Sequence, residues 1–254
     1  MSGAAKARLI DLTHPLRNDM PVWPGHPVFQ QTVVSSFEKG NTAGNHSVCL
    51  SEHTGTHFDA PYHFVPDGRT IDRVPLERFF GRLLTIDATA QVADSDLPPG
   101  AILAFEAAHG PIKPGDAVMF RYGWDVFWEH PTNAARFSVD WPGLSRTAAE
   151  LLVNRGVRLA GTDCLSIDRA GSTTFDAHHI LLGADILIGE NFANLGLLPP
   201  ICRLTALPLP IEGGTGSPVR AVAHVDDGNS ELWFGSSAAR PNNWREAPAL
   251  HAHH

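Results

Sequence analysis

Short apolar segments separated by turn-forming residues are the feature that most constrains the fold of this 254-residue chain. Its 23 glycines and 20 prolines interrupt the sequence at close intervals, which favours short strands joined by turns and irregular loops. The chain has no run of about 18 apolar residues, so a membrane-spanning helix is not expected. The pattern predicts strands at 8–12, 32–37, 47–50, 83–86, 117–120, 158–162, 186–188, 204–207 and 219–225.

Two helices are predicted in the second half of the chain. Ser145 can cap the start of the first helix, and Gly156 is placed to end it. The second helix spans about 177–184. Because strands outnumber helices and helix–strand alternation is confined to the second half, the sequence predicts a mixed fold, α/β or α+β. We expect a single domain over residues 1–254 with an ordered core at about 8–235.

Composition and charge narrow the class of protein. Hydrophobic residues make up 43% of the chain and charged residues 18%, as in packed globular proteins. The formal net charge of -8 argues against a nucleic-acid partner. The N-terminal segment lacks the apolar stretch of a signal peptide. Cys49, Cys164 and Cys202 are widely separated and odd in number. These features predict a cytoplasmic protein with reduced thiols, and they favour a buried Cys164 over a catalytic one.

Four residues of metal-ligand type fall within one short stretch: His53, His57, Asp59 and His63. His57 and Asp59 share a side of an extended backbone, because side chains alternate along it. Gly55 allows a sharp turn that can bring His53 back to the same point. Imidazole and carboxylate ligands together suit Zn²⁺, Mn²⁺ or Fe²⁺. The alternative is a cluster of surface histidines, or one core histidine satisfied by Asp59, and the density of the four residues favours a metal site.

Two other stretches have more than one interpretation. The aromatic-rich connection at 122–142 is either a loop packed by its own aromatic side chains or an apolar wall over a substrate. Cys164, Ser166 and Asp168 could be mistaken for a nucleophilic triad, but no GxSxG turn is present. We therefore expect these three residues to line a pocket or to hold it in shape.

The sequence HTGTHFDAPYH at 53–63 resembles the HxGTHxDAPxH signature of the cyclase family, which includes bacterial kynurenine formamidase and isatin hydrolase. Further segments resemble those of the family in the same order. They are PVWPG at 21–25, GTDCLSID at 161–168, AHHILLGADILIGEN at 177–191 and IEGGTGSPVRAVA at 211–223. The resemblance therefore runs from about residue 8 to residue 225.

The resemblance implies a set of metal ligands. His53, His57 and Asp59 would bind a divalent metal, Zn²⁺ or Mn²⁺. In two-metal members the aspartate bridges both ions, and the residues that match His178 and Glu190 complete the second site. One or two ions per chain are thus expected, and the choice between Zn²⁺ and Mn²⁺ stays open because ligands of these types suit several metals.

The resemblance also implies other roles and a fold. His63 would transfer protons, and Trp23 would line the substrate pocket. His179 stands where the family usually has arginine, which leaves two adjacent histidines as candidate ligands, and the register with the LLGA segment favours His178. The implied fold is a β-rich α/β domain with a swivelling β/β/α arrangement, assembled as a homodimer or homotetramer.

The expected function is hydrolysis of an amide C–N bond by metal-activated water, with His63 carrying the proton to the leaving nitrogen. A pocket lined by Trp23, Phe58 and Trp124 would suit a small aromatic substrate. An arylformamide such as N-formylkynurenine fits, and so does isatin or another lactam. The insertion at 122–142 distinguishes the chain from the shorter kynurenine formamidases.

Two other functions remain open at this point. A catalytically idle metal- or ligand-binding protein on the same scaffold would hold an ion without hydrolysing any amide. A metal-independent cyclase or dehydratase that uses His63 as a base would keep its activity after complete chelation. Neither nucleic acid nor membrane is an expected partner.

Overall fold

A closed sheet forms the centre of the structure, a computed structural model that describes residues 8–128 and 135–225. Three α-helices lie entirely within these residues: α1 (Gly100–His109), α2 (Arg146–Arg155) and α3 (Asp176–Gly183). The strands in chain order are β1 (Arg8–Asp11), β2 (Gln30–Ser35), β3 (Asn45–Cys49), β4 (His57–Asp59), β5 (Phe80–Asp87), β6 (Asp96–Leu97), β7 (Ala117–Arg121), β8 (Gly143–Leu144), β9 (Leu159–Thr162), β10 (Leu187–Glu190), β11 (Ile201–Pro208) and β12 (Gly216–Val225).

Seven strands close into a barrel in the order β12-β11-β5-β7-β9-β10-β4, with β4 pairing back onto β12. Strands β5, β7, β9 and β10 are parallel neighbours, whereas β4, β11 and β12 pair antiparallel. The start of β12 pairs with β4 and its end pairs with β1. The expected mixed α/β fold dominated by its sheet is confirmed.

Alternating side chains of the barrel strands divide the hydrophobic residues into two clusters. On β7, Met119 belongs to the cluster inside the barrel, while Val118 and Phe120 belong to the cluster on the outer wall. The outer cluster also contains Ala148 and Leu181 of helices α2 and α3. Strands buried on both faces read as continuous apolar runs, which explains why 83–86 and 117–120 were predictable from sequence.

The predicted ends of helix α2 are confirmed. Ser145 Oγ accepts a hydrogen bond from the Ala148 backbone N–H at 3.2 Å. Gly156 ends the helix with a left-handed φ of 67°. Helix α1 was not predicted, since Pro99 at its N-cap makes no side-chain hydrogen bond and Gly100 opens it.

Strands β2 and β3 form a separate two-stranded ribbon. Its residues are exposed apart from half-buried Ser35, and Val33, Val34 and Val48 are among them. The ribbon joins the proline-rich loop that carries Trp23 to the stretch that carries His53. It therefore connects two parts of the candidate site without contributing a buried core.

The described parts of the aromatic connection pack on themselves. Trp124, Trp128, Phe137 and Trp141 are buried and belong to the outer hydrophobic cluster. This arrangement supports the packed-loop interpretation over that of an open lid. Residues 129–134 lie outside the described residues, as do 226–235 at the end of the expected core. Within the described ranges, no helix is both long enough and apolar enough to cross a bilayer.

Candidate metal centre

The register between β4 and β10 places metal-ligand side chains on the outer wall of the barrel. His57 pairs with Glu190, and Asp59 pairs with Ile188. Residues that pair across strands lie on one face of a sheet, so His57, Asp59 and Glu190 point the same way. His57 Nε2 lies 3.3 Å from Asp59 Oδ1 and 3.6 Å from Glu190 Oε2.

His53 reaches the same point from the preceding turn. Gly55 has a φ of 63°, the left-handed conformation that glycine adopts readily. His53 Nδ1 lies 2.7 Å from Asp59 Oδ1, and His53 Nε2 lies 2.9 Å from Thr215 Oγ1. The Thr215 hydroxyl itself donates to Glu52 Oε2. It therefore accepts from His53 Nε2–H, and this leaves the Nδ1 lone pair facing Asp59.

Helix α3 supplies His178 from the other side. Asp168 accepts hydrogen bonds from the backbone N–H groups of Ala177 and His178 at the start of this helix. The same carboxylate lies 2.6 Å from His178 Nδ1. His178 Nε2 then faces Asp59 Oδ2 at 3.5 Å and Glu190 Oε1 at 3.4 Å. His179 is exposed, so the structure brings His178 and not His179 to the site.

The cluster fits a divalent cation by its hydrogen-bonding pattern. His57 Nδ1–H donates to the Gly55 carbonyl at 2.8 Å, so Nε2 carries a lone pair. Each of three histidines thus has one nitrogen fixed as a donor and the other aimed at a carboxylate. Within the described ranges, His57 Nε2 and Asp59 Oδ2 are buried and have no hydrogen-bond partner. Neutral imidazoles oriented by such acceptors, together with carboxylates, are the donor set of protein metal sites.

The electrostatics of the buried carboxylates also favour a cation. Burial opposes ionisation of Asp59, but when protons take the place of an ion, hydrogen bonds from the protonated rings of His178 and His53 hold the pKa of Asp59 well below its usual range. Burial likewise favours neutral His57, yet a protonated His57 would donate to Asp59 and be attracted by the charges of Asp59 and Glu190, and this raises the pKa of His57. The carboxylates therefore draw positive charge, as protons or as a metal ion, into this buried site.

His63 lies beside the cluster at the end of a short 3₁₀ turn, Pro61–His63. Its ring stacks on that of His53 with centroids 4.0 Å apart. Burial, together with the neighbouring histidines, lowers the pKa of His63 to about 4, so the ring is neutral at pH 7 and can accept a proton. The ligand-type atoms of Asp59, His63 and His178 also lie within 4.8 Å of one another. The position therefore suits either proton transfer or metal ligation.

A cleft with about 620 Å³ of empty space opens onto these residues. Trp23 lines it, as expected, and its ring makes an edge contact with Trp141. Ser166 lines it as well. Residues that the sequence analysis did not assign to the pocket also line it: His26, Phe64, Leu165, Phe175 and Asn191.

Two residues that were expected to line the pocket, Phe58 and Trp124, do not line the cleft. Phe58 lies inside the barrel, where its ring stacks near Phe79 and Phe192 at centroid distances of 6.1 and 6.0 Å. The reason is the strand alternation itself, because the neighbours of Phe58 point outward. Trp124 is buried against Phe127 and does not line the cleft. Leu165 and Asn191 lie within segments that resemble those of the family, and His26 and Phe64 directly follow such segments, but the resemblance assigned none of them to the pocket. Phe175 lies outside every such segment.

Comparison with known proteins agrees with this geometry. The Cyclase family model matches residues 10–169. Kynurenine formamidase of Erythrobacter litoralis is 31% identical over 224 residues, which cover 87% of this chain and 95% of that protein. Isatin hydrolase A from Labrenzia aggregata has a TM-score of 0.79 and 32% identity, covering 87% of this chain and 94% of that chain. Another isatin hydrolase has a TM-score of 0.81 and 29% identity, with coverage of 87% and 93%.

The fold, the site and these relatives define the protein as a metal-dependent hydrolase. The family model matches more than half of the chain, and the chain belongs to the Cyclase family.

Proposed function

We propose that the protein hydrolyses the amide C–N bond of a small aromatic substrate with Zn²⁺ or Mn²⁺. His53, His57 and Asp59 would hold one ion, and His178 and Glu190, together with Asp59, would hold a second. One observation carries the proposal. Three histidines each have one ring nitrogen bound to a protein acceptor and the other aimed at a buried carboxylate.

A bound divalent cation supplies Lewis acidity and lowers the pKa of water toward neutrality. The protein's own residues position the reactants. Thr215, the Gly55 carbonyl and Asp168 fix the rings of the three histidines, so the ligand atoms are preorganised. Neutral His63 beside the cluster accepts a proton at a ring nitrogen and delivers it to the leaving nitrogen of the amide.

The walls of the cleft support an aromatic substrate. Trp23, Phe64 and Phe175 line the cleft, with the ring of Phe175 packed near those of the other two, and Leu165 adds an aliphatic side chain. One structural relative is an isatin hydrolase bound to the product analogue thioisatinate, and another is bound to benzyl benzoate. An arylformamide such as N-formylkynurenine and a cyclic aryl amide such as isatin both combine an aromatic ring with an adjacent amide, which this cleft suits.

The proposal includes assembly and location. A homodimer or homotetramer in the cytoplasm is consistent with three free cysteines and with the exposed apolar residues of the β2–β3 ribbon. Light scattering coupled to size exclusion measures the assembly directly. A monomer at micromolar concentration would contradict this part of the proposal.

Chelation and reconstitution test the proposed activity. Purified protein is analysed for metal, treated with EDTA, and assayed on isatin, formanilide and N-formylkynurenine before and after addition of Zn²⁺ or Mn²⁺. We expect hydrolysis to disappear with the metal and to return with it. Activity that survives complete chelation would support a metal-independent cyclase or dehydratase. Bound metal without hydrolysis of any amide would support an idle binding protein.

A matched pair of adjacent histidines tests the ligand assignment. His178→Ala removes a buried ring that faces Asp59 and Glu190, whereas His179→Ala removes an exposed ring on the same helix. Metal content is expected to fall in the first variant and to stay at the wild-type level in the second. Equal metal content in both variants would exclude His178 as a ligand.

His63→Ala separates the two roles that its position allows. A proton-transfer role predicts lower turnover with wild-type metal content. Loss of metal from this variant would instead assign His63 to the second ion.

A further inference from the structure

The cleft contains buried polar atoms that a metal ion does not explain. His57 Nε2 and Asp59 Oδ2 face the ligand cluster, but His26 Nδ1 and Asn191 Oδ1 are also buried without a hydrogen-bond partner among the described residues. Both residues line the cleft. Leaving a buried polar atom unpaired costs free energy, so each such atom in a binding cleft points to a ligand group that satisfies it.

Every other polar group of Asn191 is already paired. Its backbone N–H donates to the Cys164 carbonyl at 3.0 Å, and its backbone carbonyl accepts from Thr56 Oγ1 at 2.6 Å. Its Nδ2 donates to the Gly55 carbonyl at 3.0 Å. A carbonyl can only accept, so the amide of Asn191 is oriented with Nδ2 toward Gly55 and Oδ1 at the free end. The residue is only 2% exposed.

The position of Asn191 is tied to the metal centre. It follows Glu190 directly and has a left-handed φ of 57°, a conformation that asparagine tolerates better than most residues. Its Nδ2 shares the Gly55 carbonyl with Nδ1 of His57. The side chain is therefore held beside the ligand cluster, where the bond to be cleaved must lie.

Because Oδ1 is an amide oxygen, it can pair only with a hydrogen-bond donor of the ligand. A histidine nitrogen donates or accepts according to its tautomer, but an amide oxygen only accepts. We propose that Asn191 Oδ1 accepts a hydrogen bond from the N–H of the scissile amide and so makes the enzyme selective for amides that carry this hydrogen. This inference rests on the proposed amide hydrolysis. An ester presents an oxygen lone pair to Oδ1, and an N-alkyl amide presents carbon, so neither satisfies it.

Matched substrates test the inference on the unmodified holoenzyme. The values of kcat/KM are measured for isatin and N-methylisatin, and for formanilide and phenyl formate. We expect the N–H substrate of each pair to be preferred by about tenfold or more, relative to the ratio of the two rates of hydrolysis by free hydroxide. Ratios equal to those in free hydroxide would overturn the inference.

Asn191→Leu distinguishes hydrogen bonding from steric exclusion, because leucine has a similar size and no acceptor. We expect the preference for isatin over N-methylisatin to collapse toward that of free hydroxide, with metal content measured in the same sample. A preference that persists in this variant would show that the pocket excludes the methyl group by size, and would overturn the inference. Asn194→Leu is the control, because Asn194 has a similar left-handed φ of 59° but does not line the cleft, and this variant should keep the wild-type ratio.

The outcomes separate the two proposals. If the holoenzyme hydrolyses amides without discriminating these pairs, the inference about Asn191 fails and the proposed function stands. If no amide of either kind is hydrolysed, both fail. The ester pair keeps the test decisive even when Asn191→Leu does not fold, because it requires only the wild-type protein.

Discussion

The two faces of strand β4 differ in the contacts that their buried side chains make. Its three residues are at most 2% exposed, so burial does not distinguish them. Phe58 points into the barrel and packs against Phe79 and Phe192. His57 and Asp59 point outward to a cluster in which an imidazole nitrogen and a carboxylate oxygen have no hydrogen-bond partner in the part of the chain that the structure describes.

Burial therefore does not distinguish the core from the candidate site. What distinguishes them is whether the chain itself supplies partners for the buried side chains. The inner face is complete within the chain, because apolar burial stabilises the fold without any ligand. The outer face places acceptors opposite acceptors, an arrangement that a cation would complete. Substitutions on the inner face should therefore change stability, and those on the outer face should change metal binding and activity.

The largest effect is expected for Asp59→Asn on the outer face. Asparagine keeps the volume and one acceptor but removes the charge that attracts the ion, so kcat/KM should fall by about 10³-fold or more. Metal content, measured by elemental analysis, should fall with it, while the metal-free protein remains folded by circular dichroism. Stoichiometric metal in this variant would contradict the assignment of metal binding to the outer face.

Phe58→Ala should produce the largest effect on the inner face. Removing a fully buried ring from the barrel should destabilise the protein by about 3–5 kcal/mol, measured by urea denaturation. Metal bound per folded molecule should stay near the wild-type level. A loss of activity without a loss of stability would instead place Phe58 in contact with substrate.

Asp168→Asn tests whether the hydrogen bonds from the start of helix α3 to Asp168 contribute to metal binding on the outer face. The carboxylate orients His178 and accepts two backbone N–H groups, so its removal should weaken metal affinity by about 10- to 100-fold. Competition with a fluorescent chelator measures the affinity. The control is Asp176→Asn on the same helix, whose carboxylate pairs with exposed Arg146 and should not influence the metal.

Gly189→Ala probes the inner face opposite Phe58 and should have the smallest effect. An added Cβ would lie 2.8 Å from the Phe192 ring and 3.3 Å from the Phe58 ring. Overpacking of this kind should destabilise the fold by about 1–3 kcal/mol in the same urea assay. Gly183→Ala is the matched control, because its Cβ would meet no atom of the described residues within 4 Å. Equal stability of the two variants would show that the barrel interior tolerates extra volume.

Much of the outer face could be predicted because its residues are close in sequence. His57 and Asp59 are two positions apart, and the alternation that places them together is a local property of extended backbone. The same alternation points Phe58 away from the pocket, because Phe58 lies between His57 and Asp59. The prediction that Phe58 lines the pocket was wrong because it did not take this alternation into account. Ser145 and Gly156 were predictable for a similar reason, since helix ends depend on a few adjacent residues.

The arrangement of distant segments could not be predicted from such local rules. Phe175 and Asn191 both have left-handed backbone conformations and line the cleft, yet neither belongs to a spacing that local rules interpret. Asp168 orients His178 only because helix α3 begins beside it. These contacts depend on how the barrel closes and on which loops meet at its wall.

The ligand types, the shared side of His57 and Asp59, and the short strands follow from sequence, because each depends on residues a few positions apart. The folded arrangement is needed to establish which nitrogen of each histidine faces the carboxylates, which aromatic rings form the cleft, and that Asn191 keeps an acceptor there that is unpaired among the described residues. The physical reason is that hydrogen-bond partners such as Thr215 are remote in the chain and meet the site only when β4 pairs with β12 and β10.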